Sequence, residues 1–390
     1  MTGSVFVERK TVVYRQKRGQ VPLKKNQLLI ISVAVCLICA LTVSGYSFVR
    51  LSGINFVSPN SPENSDFYED FDEDFGEDEH FESMLGVSGA KSLKDFLKQW
   101  STNNGQQLKS KKVINVLLLG LDNRDSDAIS GNSDAIILAS LNKETKKITL
   151  VSLLRDSYTY MDTPKGIKYA KINAAYPYGG PECLIDTIEK DFKIKIDYYF
   201  AAAFKSFERA IDMVGGINVT VLEHEARYIR NKAEYDCKDM PFGENVLLNG
   251  KQALLFARIR GSDVDGDISR TRRQRDVITA LVKKCESIST SQIGELAKEL
   301  AGNVVTNCPA TDLIRLATQG LVKKWYSYEI VQMAVPEEKD RMAYTGDAWI
   351  WVVDYPAAAQ KLQLALYGKT NIELSEKRMT AMEVVKKYKG

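Results

Sequence analysis

The chain has 390 residues, room for one large domain with appendages or for two or three of average size. Its composition, 44% apolar and 26% charged, places it in the globular class, and the net charge of +3, with no long basic stripe, argues against a nucleic-acid partner. Among the six cysteines, Cys36 and Cys39 lie in an apolar N-terminal stretch and read as bulk apolar residues or acylation sites. Cys183, Cys237, Cys285 and Cys308 form no C-x-x-C pair and have only His80 and His224 beside them as imidazoles, which excludes the usual structural zinc patterns. One or two disulfides suit an extracytoplasmic domain, with free thiols as the alternative.

Residues 1–25 are polar and basic, with Arg9, Lys10, Arg15, Lys17, Arg18, Lys24 and Lys25 against Glu8 alone. Residues 26–49 carry no charge, and about 22 residues of helix cross the hydrocarbon core. The basic flank puts the N-terminus in the cytoplasm, and the length favours an uncleaved anchor over a signal peptide. Residues 50–110 combine an acidic stretch, 58–82, with a lead-in helix at 91–100. Like-charge repulsion makes the acidic part an extended extracytoplasmic tether.

The folded domain is expected over 111–368. Apolar runs predict strands at 113–120 (VINVLLLG), 134–141 (DAIILASL) and 147–153 (KITLVSL), with a turn at 142–145. A helix follows at 181–192, then a strand at 198–204, a helix at 205–214 ending at Gly215-Gly216, and a strand at 216–221. Helices are expected at 249–257, 272–285, 291–300, 311–321 and 355–367, and strands at 328–335 and 348–353. Strands interleaved with helices predict a three-layer α/β/α sandwich with a mixed central sheet. Residues 369–390 read as a polar, peripheral tail.

Four clusters can carry chemistry. They are 120–124 (GLDNR) after the first strand, 131–134 (GNSD) entering the second, 152–156 (SLLRD) leaving the third, and the arginine-rich stretch 257–275. Strand ends are where α/β folds place ligands. Arg258 and Arg260, two apart, face one way on an extended segment. Guanidinium forks match phosphate oxygens, and converging arginines need a multiply charged anion such as pyrophosphate to offset their repulsion. Asp122 and Asp134 can hold a divalent ion whose shell a phosphate completes, the usual magnesium arrangement. The bland reading of any single one of these residues is a surface salt bridge. Asp263 and Asp265 can simply solvate their loop, and among Arg272, Arg273 and Arg275 at least one is expected to face solvent.

The ordered series NVLLLGLDNR, NSDAIILASLN, ITLVSLLRDSY, KINAAYPYGG, INVTV and LNGKQALLFARIR, with Asp267, Arg270 and Gln274 at D-x-x-R-x-x-x-Q spacing, resembles the LytR-CpsA-Psr family of cell-wall glycopolymer ligases. The resemblance covers the anchor and residues from about 111 to 280. It implies transfer of a phosphoglycan, such as a teichoic acid or capsule polymer, from polyprenyl pyrophosphate to a peptidoglycan sugar hydroxyl. The enzyme would be Mg²⁺-dependent, at the outer face of the cell membrane of a Gram-positive-type envelope. Carried over residue by residue, the family pattern puts Asp122 and Asp134 at the magnesium–pyrophosphate site. Arg155, Arg258, Arg260, Arg270 and Gln274 fall on the phosphates, with Lys171 and Asn173 nearby. Arg155, Arg258, Arg260 and Asp267 make up the implied catalytic set, with Asp267 or a base supplied by the substrate preferred over Asp122, because a metal-bound aspartate is a poor base. Asn132 stands where family members often have arginine, and Arg124 is the candidate to replace that contact. The resemblance also implies an apolar channel for the lipid tail, with Phe200, Phe204, Phe207 and Ile211 as candidate lining. Rival readings are a pyrophosphatase with the same residues and a non-catalytic lipid-binding or regulatory membrane protein.

Overall fold

A computed structural model describes residues 77–103, 105–121, 133–263, 266–284, 304–345 and 349–388. Its apolar runs form the six-stranded sheet at the centre of the molecule. Strand β1 (Val113–Leu121) pairs antiparallel with β2 (Ser133–Asn142), which turns back into β3 (Lys147–Leu153). The tight return is closed by the Asn142 side chain, whose oxygen accepts the backbone N–H groups of Glu144 and Thr145. On its other side β1 runs parallel to β6 (Tyr198–Ala203). Strand β10 (Glu329–Val335) lies parallel outside β3, and the short β9 (Val304–Thr306) closes the far edge antiparallel to β6. The order is therefore β10-β3-β2-β1-β6-β9, a mixed sheet.

Period-two alternation divides the apolar side chains between two cores. Leu117, Leu119 and Leu121 of β1, with Leu138 and Val151, face one side. That side is covered by α1 (Glu77–Thr102), α2 (Ala175–Phe192), α8 (Tyr355–Tyr367) and α9 (Ala381–Tyr388). Val116, Leu141, Ile148 and Leu150 face the other side. There they meet α3 (Phe204–Met213), α5 (Gly250–Arg258), α6 (Asp267–Lys284) and α7 (Ala310–Val322). Each fully buried leucine contributes roughly 1.5–3 kcal/mol, so the sheet is held from both faces.

Three two-stranded ribbons and helix α4 (Glu223–Asn231) complete the fold: β4 (Tyr158–Thr163) with β5 (Gly166–Lys171), β7 (Ile217–Val221) with β8 (Gly243–Leu248), and β11 (Arg341–Thr345) with β12 (Trp349–Val353). Helix α2 is broken at Gly179-Gly180, where Gly180 takes φ 69°. A Cβ on Gly179 would lie 2.7 Å from both Cys183 and Pro164, so glycine is required there. The second half of the helix restarts at Pro181, the position at which the sequence predicts a first turn.

Several expectations change. The lead-in helix begins at Glu77, fourteen residues earlier than the predicted 91, with a kink at Gly86. Helix α6 begins at Asp267, five residues before the predicted 272, because Asp267 takes the first turn and residues 268–271 enter the helix instead of preceding it. The segment 369–390 is not merely peripheral: α9 buries Ala381, Val384 and Val385 against α1. Most of its residues are polar, yet three small or branched apolar positions suffice to dock one helical face. Cys183, Cys237 and Cys308 are buried, and Cys183 and Cys237 are free thiols. Burial pushes the Cys183 thiol up to about 12, so it is inert at neutral pH. No helix among the described residues is long and apolar enough to cross a membrane. The predicted anchor 26–49, residues 58–76 of the acidic tether, the helix at 291–300 and Cys285 lie outside the described residues, and residues 77–82 of that tether are helical, the first turns of α1, not extended.

A buried polar strut joins α1, α2 and β4. The Ser101 and Thr159 hydroxyls each donate to the Asp191 carboxylate at 2.5 Å, and the Trp100 indole donates to the Asp191 carbonyl at 2.8 Å. Burial, opposed by those two hydroxyls, raises the Asp191 carboxyl to about 7.

Candidate functional site

The strand directions bring one set of chain segments to one edge of the sheet. β1, β3, β6 and β10 all end there, and the antiparallel β2 begins there. Asp134 at the start of β2, Arg155 just past β3 and Phe204 just past β6 therefore converge although they are far apart in sequence.

Asp134 is the hub. Arg155 Nη1 donates to its Oδ1, and Arg260 Nη2 donates to its Oδ2 at 3.1 Å. Arg155 Nε also lies 3.5 Å from Asp156 Oδ2 and 3.6 Å from Asp267 Oδ1. Arg270 Nη2 meets Asp267 Oδ1 at 2.5 Å, and Lys171 Nζ lies 3.5 Å from Asp156 Oδ1. The backbone N–H of Asn173 donates to the Arg155 carbonyl at 3.3 Å, tying the segment after β5 to the segment after β3. The D-x-x-R-x-x-x-Q spacing acquires a physical meaning: Asp267, Arg270 and Gln274 stand at i, i+3 and i+7 on one face of α6.

This cup has more cationic hydrogen-bonding capacity than it uses. The Arg155 Nε, the Arg270 Nε and Nη2, and both Asp267 oxygens are sheltered from water and make no aligned hydrogen bond among the described residues. The close Arg270–Asp267 approach is thus an ion pair without hydrogen-bond alignment. Burial, reinforced by the neighbouring Arg155 and Arg260 charges and only partly offset by Asp267, lowers Arg270 to about 10. Burial also acts to lower Arg155, but Asp267, Asp134 and Asp156 outweigh it and leave its pKa raised. An arginine lowered this way is one whose positive charge lacks enough negative charge around it.

Beside the cup, on the face covered by α3, α5 and α6, lies an apolar cavity of about 190 Å³. Its lining includes Gly120, Ala135, Phe200, Phe204 and Phe207, together with Arg258 and Gln274. Cup and cavity alternate along the chain: Asp134 is followed by Ala135, Arg270 stands one turn before Gln274, and Arg258 precedes Arg260 by two. The Arg258 guanidinium stacks over the Phe204 ring at 5.2 Å, so it marks the boundary between the two. Phe200, Phe204 and Phe207 line the cavity as the resemblance implies, whereas Ile211 is packed in the core.

Arg155, Arg260, Arg270, Lys171, Asp134 and Asp267 are brought together; Arg258 and Gln274 stand at the cavity wall. Asp122, Arg124, Asn132 and Asp265 lie outside the described residues. Arg258 ends helix α5, so it does not share an extended segment with Arg260. The arginine-rich stretch divides by role. Arg273 is fully buried, bound to Glu225, Asp263 and the Ile259 carbonyl, and Arg275 is buried against the Ser152 hydroxyl at 2.6 Å. Only Arg272 of this trio is half-exposed. Asp263 therefore holds Arg273 and does not merely solvate its loop. Asp156 was not singled out in the sequence, yet it bridges Arg155 and Lys171; an acid next to an arginine at a strand exit is the signal that could have found it. His224, Glu225 and Asp263 also converge, but both acids are already paired with Arg273.

The chain is 37% identical over 221 residues to the polyisoprenyl-teichoic acid–peptidoglycan teichoic acid transferase TagU of Oceanobacillus iheyensis, covering 55% of this chain and 64% of that protein. It spans 64%, 61% and 65% of the length of three of the curated relatives it matches, less than two thirds in each case. Among solved structures, protein gbs0355 of Streptococcus agalactiae aligns with a TM-score of 0.59 at 26% identity, over 70% of this chain and 95% of that one. TagV of B. subtilis aligns with a TM-score of 0.53 at 26% identity, over 67% of this chain and all of that one. The family model covers residues 83–365, which hold the whole sheet and most of the helices on its two faces, and the chain belongs to the LytR_cpsA_psr family.

Proposed function

We propose that this protein is a membrane-anchored, extracytoplasmic transferase that moves a phosphoglycan of teichoic-acid or capsule type from polyprenyl pyrophosphate to a peptidoglycan sugar hydroxyl. The observation that carries this reading is the pairing of a buried, under-neutralised arginine cup with an apolar cavity at one sheet edge. A lipid diphosphate has those two parts in that order. The name of the Oceanobacillus relative describes the same reaction class.

The guanidiniums of Arg155, Arg260 and Arg270 take the diphosphate oxygens, with Arg258 where head meets tail. The acceptor hydroxyl oxygen attacks the glycan-bearing phosphorus. A new P–O bond forms, the bond from that phosphorus to the bridging oxygen breaks, and polyprenyl phosphate leaves with the electron pair. The cup stabilises the charge that develops on the leaving phosphate. When phosphate oxygens take over Arg155 and Arg270, Asp267 is left with buried oxygens facing no counter-ion, and it accepts the proton of the attacking hydroxyl. The apolar cavity wall excludes water, which favours the sugar hydroxyl as acceptor.

The donor chemistry fits Mg²⁺. Asp134 would supply a carboxylate oxygen as its arginine partners turn to the phosphates, and Asp122 is the second carboxylate the family pattern implies. When bound, the ion neutralises charge on the pyrophosphate. Residues 26–49 would keep the domain within reach of a donor confined to the bilayer, raising its effective concentration.

The test is incubation of the full-length chain with a lipid-pyrophosphate glycan and peptidoglycan fragments, with and without Mg²⁺, followed by mass spectrometry. The expected products are a conjugate retaining one phosphate and polyprenyl phosphate. Release of phosphoglycan alone would identify a pyrophosphatase, and donor binding without any product would identify a binding protein.

A further inference from the structure

The β11–β12 ribbon carries chemistry that the cup and cavity do not use. Its inner face, with Tyr344, Ile350 and Val352, is buried in the core. The strand register places Arg341, Ala343, Trp349 and Trp351 on the opposite, outer face. Trp349 is 46% exposed there, a high value for so large an apolar side chain. Its ring stands at 88° to that of Trp351, with centroids 5.3 Å apart, so the two indoles form a corner. The Arg341 guanidinium braces Trp351 at 4.8 Å while Nη1 donates to the Pro336 carbonyl at 2.6 Å. The Trp351 indole N–H is sheltered from water and has no acceptor among the described residues.

The ribbon is joined directly to the cup. Ser157 pairs with Trp351 as a parallel bridge, and the Trp351 backbone N–H donates to the Asp156 carbonyl at 2.8 Å. The same Asp156 pairs through its side chain with Arg155 and Lys171. One backbone segment therefore carries the anion cup and supports the tryptophan corner, about one strand spacing away.

We propose that the outer face of this ribbon, centred on Trp349 and Trp351, is the docking platform for the acceptor glycan strand. The identity of the acceptor rests on the transferase reading; the prediction that a glycan binds here does not. Flat, rigid indoles stack on the apolar C–H faces of pyranose rings, and a sugar oxygen entering beside Trp349 supplies an acceptor to the Trp351 N–H, which has none among the described residues. A protein partner fits less well. Two indoles bordered by an arginine and an alanine fall short of the roughly 800 Å² per side that a stable protein interface buries. Continuity with the cup selects the substrate whose hydroxyl has to arrive at it.

The experiment uses the full-length chain and its Trp349→Ala and Trp349→Phe variants. Binding is measured by calorimetry to two probes: a soluble tetrasaccharide of alternating N-acetylglucosamine and N-acetylmuramic acid, and geranylgeranyl diphosphate. Trp349 is exposed, so its replacement leaves the fold in place. The expected result is glycan binding weakened about tenfold by Trp349→Ala and less by Trp349→Phe, with diphosphate affinity unchanged. In the transfer assay, Trp349→Ala should raise the acceptor KM and leave kcat near its original value. The platform is refuted by a wild-type chain that binds no tetrasaccharide, or by a Trp349→Ala chain that binds it as tightly or transfers with the same acceptor KM. Loss of glycan binding in Trp349→Ala, in a protein that forms no conjugate at all, would leave the platform standing and remove the transferase.

Discussion

Replacing Arg155 by alanine probes the cup at its centre. Arg155, Arg260, Arg270 and Lys171 face three carboxylates there, Asp134, Asp156 and Asp267. The four cations leave one positive charge in excess, and Arg155→Ala removes it. Arg155 is only 16% exposed, so its contacts to a phosphate are desolvated and charge-assisted, each contributing about 1.5–3 kcal/mol. Loss of a two-pronged contact therefore weakens a lipid diphosphate by about 3–6 kcal/mol, roughly 10²–10⁴-fold in Kd. The variant also leaves Asp134 with Arg260 alone and Asp267 with Arg270 alone, lowering fold stability by about 1–3 kcal/mol. Arg155→Lys separates the two effects: it restores the charge without the planar fork and should recover stability more fully than affinity. Calorimetric titration of all three chains with geranylgeranyl diphosphate, beside denaturant unfolding, gives both numbers. An Arg155→Ala chain that binds the diphosphate within threefold of the parent would show that Arg155 is a structural salt bridge and no part of an anion clamp.

The cavity gives a chain-length prediction: Ala202→Phe, which projects a ring into it, should weaken geranylgeranyl diphosphate at least tenfold and leave dimethylallyl diphosphate unchanged, measured as a ratio of Kd values. Arg273→Ala should lower unfolding stability by about 3–5 kcal/mol, because it removes a fully buried guanidinium bound to Glu225, Asp263 and the Ile259 carbonyl and leaves the buried Glu225 with Arg272 and the Leu222 N–H; comparable stability to the parent would refute its structural role. Asp191 predicts a pH dependence. Its folded-state pKa of about 7 lies above the unfolded value near 4, so the folded protein holds the proton more tightly. Stability should then be greatest below about pH 4 and fall as pH rises toward about 7, by up to about 4 kcal/mol from this group. Asp191→Asn should flatten that slope in denaturant titrations at pH 5 and pH 8, and an unchanged slope would show that Asp191 is not its source.

The legibility of this fold follows the range of the forces involved. β1, β2, β3 and β6 are largely apolar runs buried on both faces, β10 is a largely apolar, half-buried edge run, and such runs announce themselves. The β4–β5 and β7–β8 ribbons were not legible in full, because YTYMDT, GIKYAK and GENVLL mix polar and apolar residues with no clean alternation. Helix α9 was missed for a related reason: its docking face is only three residues wide.

By itself the sequence determined five of the six strands of the sheet, that arginines and aspartates gather at strand ends, and which family the chain resembles. All of that is written in local patterns of a few residues. Only the tertiary structure decided which of the arginines face the site. Arg270 and Arg273 lie one turn apart on one helix, yet Arg270 is held in the cup and Arg273 is bound to Glu225 beneath the 259–263 segment. The difference lies in which carboxylate stands opposite each guanidinium, and those carboxylates come from other segments of the chain. A charge's role is set by its partners across space, and no spacing along the sequence encodes them.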